Sequence, residues 1–154
     1  MGKDTLVIGL GNILMGDDGA GIRVIEELSK LQVPANVELM DGGTPGVDLM
    51  SIIKKYKKVI IADAVLDTTP GASVRHFHAD EITGFGGAMS LHGLGLEAAI
   101  TLMKTFGEDL SGVTVVGIPI ERAERTMELS VETLSRVKDA VEFITCEFNG
   151  GGHG

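Results

Sequence analysis

Two carboxylates and one imidazole, Asp18, Asp63 and His92, are the side chains of this sequence best suited to shared chemistry. Asp18 lies in a Gly-rich stretch running from Gly9 to Gly21, with Asp17 beside it. That stretch joins the apolar run Thr5-Leu6-Val7-Ile8, which reads as a buried strand, to Ile22–Leu28, which reads as a helix. Asp63 ends a second apolar run, Val59-Ile60-Ile61-Ala62, and His92 opens a second helical pattern. In an open α/β sheet all three fall on the rim formed by the carboxyl ends of the strands, where ligands bind. Two carboxylate oxygens and a ring nitrogen, with room for a fourth ligand, suit Zn²⁺ or a similar borderline divalent ion. Taken singly, Asp63 reads better as the cap of a neighbouring helix and His92 as a partner for backbone carbonyls. Their joint placement is what points to a metal.

Other chemistries fit less well. Gly9-x-Gly11 after a strand resembles the start of a dinucleotide fingerprint, but Leu14 stands where the third Gly belongs. Asp17 and Asp18 at a helix start would also repel a pyrophosphate. One of this pair is expected to cap the helix that follows, leaving the other to face the crevice. His76 and His78, two apart on a strand, point the same way, yet on an edge strand they read as a solvated face. Cys146 is expected to be a small buried residue of the last helix rather than a nucleophile. No G-x-S-x-G elbow surrounds any Ser, Ser90 near His92 included.

The elements that must position the site alternate. The pattern predicts a strand over residues 4–9 and a helix over 19–31, with Val24, Ile25, Leu28 and Leu31 inward. A strand at Val37–Met40 leads into the turn Asp41-Gly42-Gly43-Thr44-Pro45-Gly46. Thr44 and Pro45 then start a helix reaching about Lys55. The strand over 57–64 is apolar throughout, as a central parallel strand requires, and ends at Asp63. Residues 72–78 alternate and read as an edge strand. Residues 80–90 read as an irregular Gly-rich loop. A helix over 91–106 buries Leu96, Ala99, Met103 and Phe106, and a strand over 113–118 is closed by Pro119. After a charged linker, 121–128, Ser130 caps a last helix whose stripe is Val131, Leu134, Val137, Val141 and Ile144. Together these predict a three-layer α/β/α sandwich around a mostly parallel, twisted sheet of about five strands. One domain is expected over residues 1–148, with 149–154 as a flexible Gly-rich tail.

The 154 residues are 44% hydrophobic but only 4% aromatic, without Trp, so the core must be aliphatic. A net charge of −9 argues against nucleic acid and anionic membrane surfaces as partners. The single Cys precludes a disulfide within the chain and fits a reducing cytoplasm. No signal peptide is expected, because Met1–Asp4 runs straight into the first strand, and no apolar run approaches a membrane span.

Four motifs in order resemble the maturation endopeptidases of nickel–iron hydrogenases. They are Gly9-x-Gly11-Asn12-x-Leu14-x-x-Asp17-Asp18-Gly19-x-Gly21, then Asp41-Gly42-Gly43-Thr44-x-Gly46, then Ile60-Ile61-Ala62-Asp63-Ala64, then Ser90-Leu91-His92-Gly93-Leu94-Gly95-Leu96. The resemblance runs from about Thr5 into the last helix. It implies removal of a C-terminal extension from a hydrogenase large-subunit precursor once nickel is in place. The family's metal-contacting positions fall on Asp18, Asp63 and His92. Asp18 is one methylene shorter than the Glu found in some relatives, and Leu91 stands where Pro is common. Asp41 matches a carboxylate implicated in cleavage, so Asp41, Asp18 and Asp63 are the catalytic candidates. Two mechanisms are compatible with this set. In one, a bound ion activates water. In the other, the empty ligand set grips nickel supplied by the precursor while Asp41 acts as general base. The second explains why cleavage waits for nickel. Zn²⁺ or Cd²⁺ would substitute in crystals. A monomeric, cytoplasmic enzyme is expected, with a non-hydrolytic nickel-binding chaperone for the large subunit as the alternative.

Overall fold

A computed structural model describes residues 3–43, 48–81, 89–90 and 95–150. Four strands are parallel: β1 (Thr5–Leu10), β2 (Val37–Gly43), β3 (Lys58–Leu66) and, later in the chain, β6 (Val113–Ile120). Between β3 and β6 come β4 (Arg75–His78), antiparallel to β6, and the two-residue β5 (Met89–Ser90), antiparallel to β3. The main path across the sheet is β2-β1-β3-β6-β4. This is the expected mostly parallel sheet of five strands, with β5 added. β6 lines one side of β3 as far as Leu66, and β1 stops opposite Ala62. β5 therefore takes the side of β3 that β1 leaves vacant.

Helices cover both faces. α1 (Ala20–Ser29) and α4 (Val131–Gly150) lie on one face, and α2 (Asp48–Ile53) and α3 (Gly95–Thr105) on the other. Strand alternation divides the core accordingly. Val7, Ile60, Ala62, Ala64, Val116 and Ile118 pack with Val24, Leu28, Val137, Ala140 and Ile144. Leu6, Ile8, Leu10, Val59, Ile61 and Val115 pack with Leu49, Ile53, Leu96, Ile100 and Met103. Each such aliphatic side chain taken fully out of water contributes about 1.5–3 kcal/mol.

Several boundaries differ from the sequence reading. β2 runs three residues further than expected, through Asp41 to Gly43. Asp63 does not end its strand, because β3 continues to Leu66 with β6 and β5 as partners. Pro119 sits inside β6 rather than closing it. β4 pairs only as far as Gly117, so beyond that point the missing N–H breaks no ladder. Leu31 and Phe106, assigned to helix stripes, are 49% and 64% exposed because each lies just past its helix end. Val131 and Leu134 are also exposed. The inward stripe of α4 is Thr133, Val137, Ala140 and Ile144. Cys146 is exposed, not buried. α4 takes in Asn149 and Gly150, two residues past the predicted domain boundary, and 151–154 lie outside the described residues. So do Thr44 and Pro45, the predicted start of the second helix. Among the described residues no helix is long and apolar enough to cross a membrane.

Candidate active site

The strand order creates one crevice. From β1 the chain passes through α1 to β2 on one side, while β3 lies on the other side of β1. Connections from these neighbouring strands thus diverge to opposite faces, and an open α/β sheet binds ligands at such a switch point. The loop after β1 carries Asp18, and Asp63 lies on β3 just beyond the last β1–β3 pair, Gly9 with Ala62. Both are buried, Asp18 at 5% exposure and Asp63 at 0%. By alternation Asp63 faces the side of Val59 and Ile61, which is the α2/α3 side of the sheet.

Close backbone packing fixes the Asp18 loop. Gly9 of β1 and Gly21 of α1 touch so closely that a Cβ on either would collide with carbonyl oxygen. Gly9 would meet Gly21, and Gly21 would meet Ala62 and Leu10. Only Gly lets the first turn of α1 rest on β1 and β3 at this point. The loop before it is a 3₁₀ segment, Ile13–Gly19, opened by Asn12, whose side chain accepts a hydrogen bond from the Leu14 amide at 3.0 Å.

Asp17 has a different task from its neighbour. Its Oδ1 accepts from the Ser130 amide at 2.7 Å and its Oδ2 from the Ser130 hydroxyl at 2.8 Å. Ser130 in turn caps α4, accepting from the Thr133 amide at 3.2 Å. The expected cap role within this acid pair thus falls to Asp17, but on the N-terminal region of α4. α1 itself starts from Gly19 with no side-chain cap. The Gly16 amide donates to the Thr126 carbonyl at 2.6 Å, and Arg23 Nη2 to the Met127 carbonyl at 2.8 Å. These bonds fasten the 121–130 segment to the Asp18 loop, and a pocket of about 290 Å³ opens between them, lined by Gly16, Asp17, Arg122, Glu124, Glu128 and Ser130 among others.

Asp41 is separate. It faces Gly9 across β2 and β1, in the same row of the sheet as Ala62, and is exposed. Its Oδ1 accepts from the Gly43 amide at 2.9 Å. Successive strands lie about 4.8 Å apart, so Asp41 stands roughly 10 Å across the rim from β3. His92 lies outside the described residues. The chain on either side of it is placed: Ser90 pairs with Val65, two residues beyond Asp63, and α3 begins at Gly95. Among the described residues no group of three His, Cys, Asp or Glu is arranged to hold a metal ion. The rim beyond β3 is braced by Asp67, whose amide donates to the Ile120 carbonyl at 3.0 Å and whose carboxylate pairs with Arg75. Hydrogen bonds from the Thr69 hydroxyl and amide, then the Arg75 guanidinium, hold the Asp67 carboxyl below its usual range.

Among the described residues, His76 and His78 belong to no group able to hold a metal ion. His76 stacks on Phe143 of α4, ring centroids 4.2 Å apart, and His78 lies exposed on the same edge strand. Sequence reasoning missed Asp17's tie to Ser130. The only signal was a pair of acids where one sufficed.

The buried acid pair thus lies at the switch point of an α/β sandwich, where open sheets bind ligands. The family model for HycI, hydrogenase maturation protease, matches residues 22–147, and the chain belongs to this family. It is 30% identical over 150 residues to the hydrogenase 2 maturation protease of Escherichia coli, covering 96% of this chain and 92% of that one. It is 32% identical over 143 residues to the hydrogenase expression/formation protein HupD of Thiocapsa roseopersicina, covering 90% of this chain. The chain spans 65% of that relative's length. The fold matches the hydrogenase maturating endopeptidase HybD from E. coli with a TM-score of 0.79 at 29% identity, over 96% of this chain and 93% of that one.

Proposed function

We propose that the chain is an endopeptidase that removes the C-terminal extension of a nickel–iron hydrogenase large-subunit precursor, and that it recognises the nickel already seated there through Asp18, Asp63 and His92. The observation that carries this reading is the burial of two carboxylates on adjacent segments at the β1/β3 crevice. Buried carboxylates gathered in a cleft are candidates for binding a cation or for catalysis. Two carboxylate oxygens with an imidazole suit a borderline divalent ion such as Ni²⁺.

The nickel belongs to the substrate. Asp18 contributes from the loop after β1 and Asp63 from β3, and Asp41, exposed one strand further out, is the general base. This division gives recognition to the buried pair and proton transfer to the wetted acid. The chain acts as a monomer in the cytoplasm.

Incubation with nickel-loaded and nickel-free precursor tests the proposal. The expected result is shortening of the nickel-loaded large subunit alone on a gel. Stable binding without shortening would favour a chaperone. Full activity in Asp18→Asn, Asp63→Asn and His92→Ala alike would sink the nickel-recognition reading.

A further inference from the structure

The strand that carries Asp41 ends the sheet on one side. Among the described residues, β2 pairs with β1 alone. A seven-residue strand that, among the described residues, has no partner on its outer side is a template for another chain, and proteins usually blunt such edges with Pro or Lys, or shorten them. β2 has neither residue within it. Its Glu38 is tied to Lys3 at 3.2 Å. The opposite edge, β4, is only four residues long, and His76 on it packs against α4.

The end of β2 nearest the crevice has a specific form. Gly9 faces Asp41 but Leu10 faces Gly43, so Gly42 is an extra residue, a bulge. Bulges gather next to active sites, where they re-aim a side chain. At Gly42 a side chain would run into Ile8 of the core, while Gly43, with φ at +57°, has open space around it. The strand therefore delivers a carboxylate followed by bare backbone. Gly in a strand marks places where another backbone comes close.

We propose that the outer edge of β2 is the docking strand for the polypeptide substrate, which adds beside it in extended form and is led past Asp41 toward the Asp18–Asp63 crevice. This rests on the peptidase reading above and names how the substrate chain is held. Strand addition takes its affinity from main-chain hydrogen bonds and tolerates varied side chains. Sequence-tolerant anchoring would leave the nickel to decide which precursors are cut.

Hydrogen–deuterium exchange tests this with the whole chain and a nickel-loaded large-subunit precursor. The expected result is severalfold slower exchange in residues 38–43 on adding precursor. Single backbone N-methylations along a semisynthetic precursor extension should weaken binding at every second position. Cleavage that proceeds while exchange in β2 is unchanged, or N-methyl effects without period two, would overturn the docking strand and leave the peptidase reading intact. Absence of cleavage with β2 still protected would overturn the peptidase reading instead. Protection of β2 in the chain alone, growing with its concentration, would assign the edge to a second copy and also overturn the proposal.

Discussion

Asp17 grips Ser130 with both carboxylate oxygens, at 2.7 and 2.8 Å, across 113 residues of sequence. One acid of the Asp17-Asp18 pair is thus spent on joining the loop after β1 to the start of α4, and the other is left buried at the crevice. Asp17→Ala removes both bonds and is expected to cost about 1–3 kcal/mol of stability. Asp17→Asn, which keeps an acceptor for the Ser130 amide, should lose less. Urea denaturation of the two variants measures the difference. Equal stability of Asp17→Ala and the parent would show that the clamp holds nothing.

Asp18→Asn and Asp63→Asn should behave differently from Asp17→Ala. Each keeps side-chain volume and removes only the carboxylate charge, so the fold should persist while cleavage of nickel-loaded precursor is lost. Thermal melts run beside the gel assay separate these effects. Loss of folding in both variants would mark the acids as structural.

Asp41→Asn should lower the rate of cleavage while leaving capture of the nickel-loaded precursor intact, since Asp41 stands apart from the buried pair. Single-turnover rates and binding, measured separately, check this. Weakened capture with an unchanged single-turnover rate would make Asp41 a docking residue only.

Gly21→Ala places a methyl group against the carbonyl oxygens of Ala62 and Leu10. Neither backbone can yield without moving α1 off the sheet. A loss of about 1–3 kcal/mol is expected, as for other overpacked sites, together with reduced activity. Unchanged stability would mean that the approach of α1 to β3 is looser than described.

Acid should unfold the chain through a few identified carboxylates. Asp67 is held below its usual range by Thr69 and Arg75, Asp4 by Asn36 and Thr5, and Asp109 by Ser111. Each binds its proton less readily folded than unfolded. The stability they add is therefore present above the unfolded value, about 3.9, and is lost as pH falls through the lower folded values. Asp67→Asn should flatten that decline in a pH series of denaturation curves.

The sheet was legible because its central strands are continuous apolar runs, and such runs have one use in a chain of alternating helices. Asp18 and Asp63 were legible as rim residues because each follows such a run. The strand ends were not. Whether β3 stops at Asp63 or at Leu66 is decided by Ile120 and Met89 across the sheet, which no local pattern contains. Asp17's partner was hidden for the same reason. The helix stripes failed at their ends: Val131, in the first turn of α4, is exposed. The Gly9–Gly21 contact explains in packing terms two glycines for which local pattern offers no reason.

Cys146 stands exposed near the end of α4, the helix whose beginning meets Asp17. About 24 Å of helix separate Cys146 from Ser130, at 1.5 Å per residue. The chain thus arrives with a built-in attachment point. A maleimide dye there would be remote from the crevice and chemically unique, and its anisotropy would follow precursor capture in real time without any engineered residue.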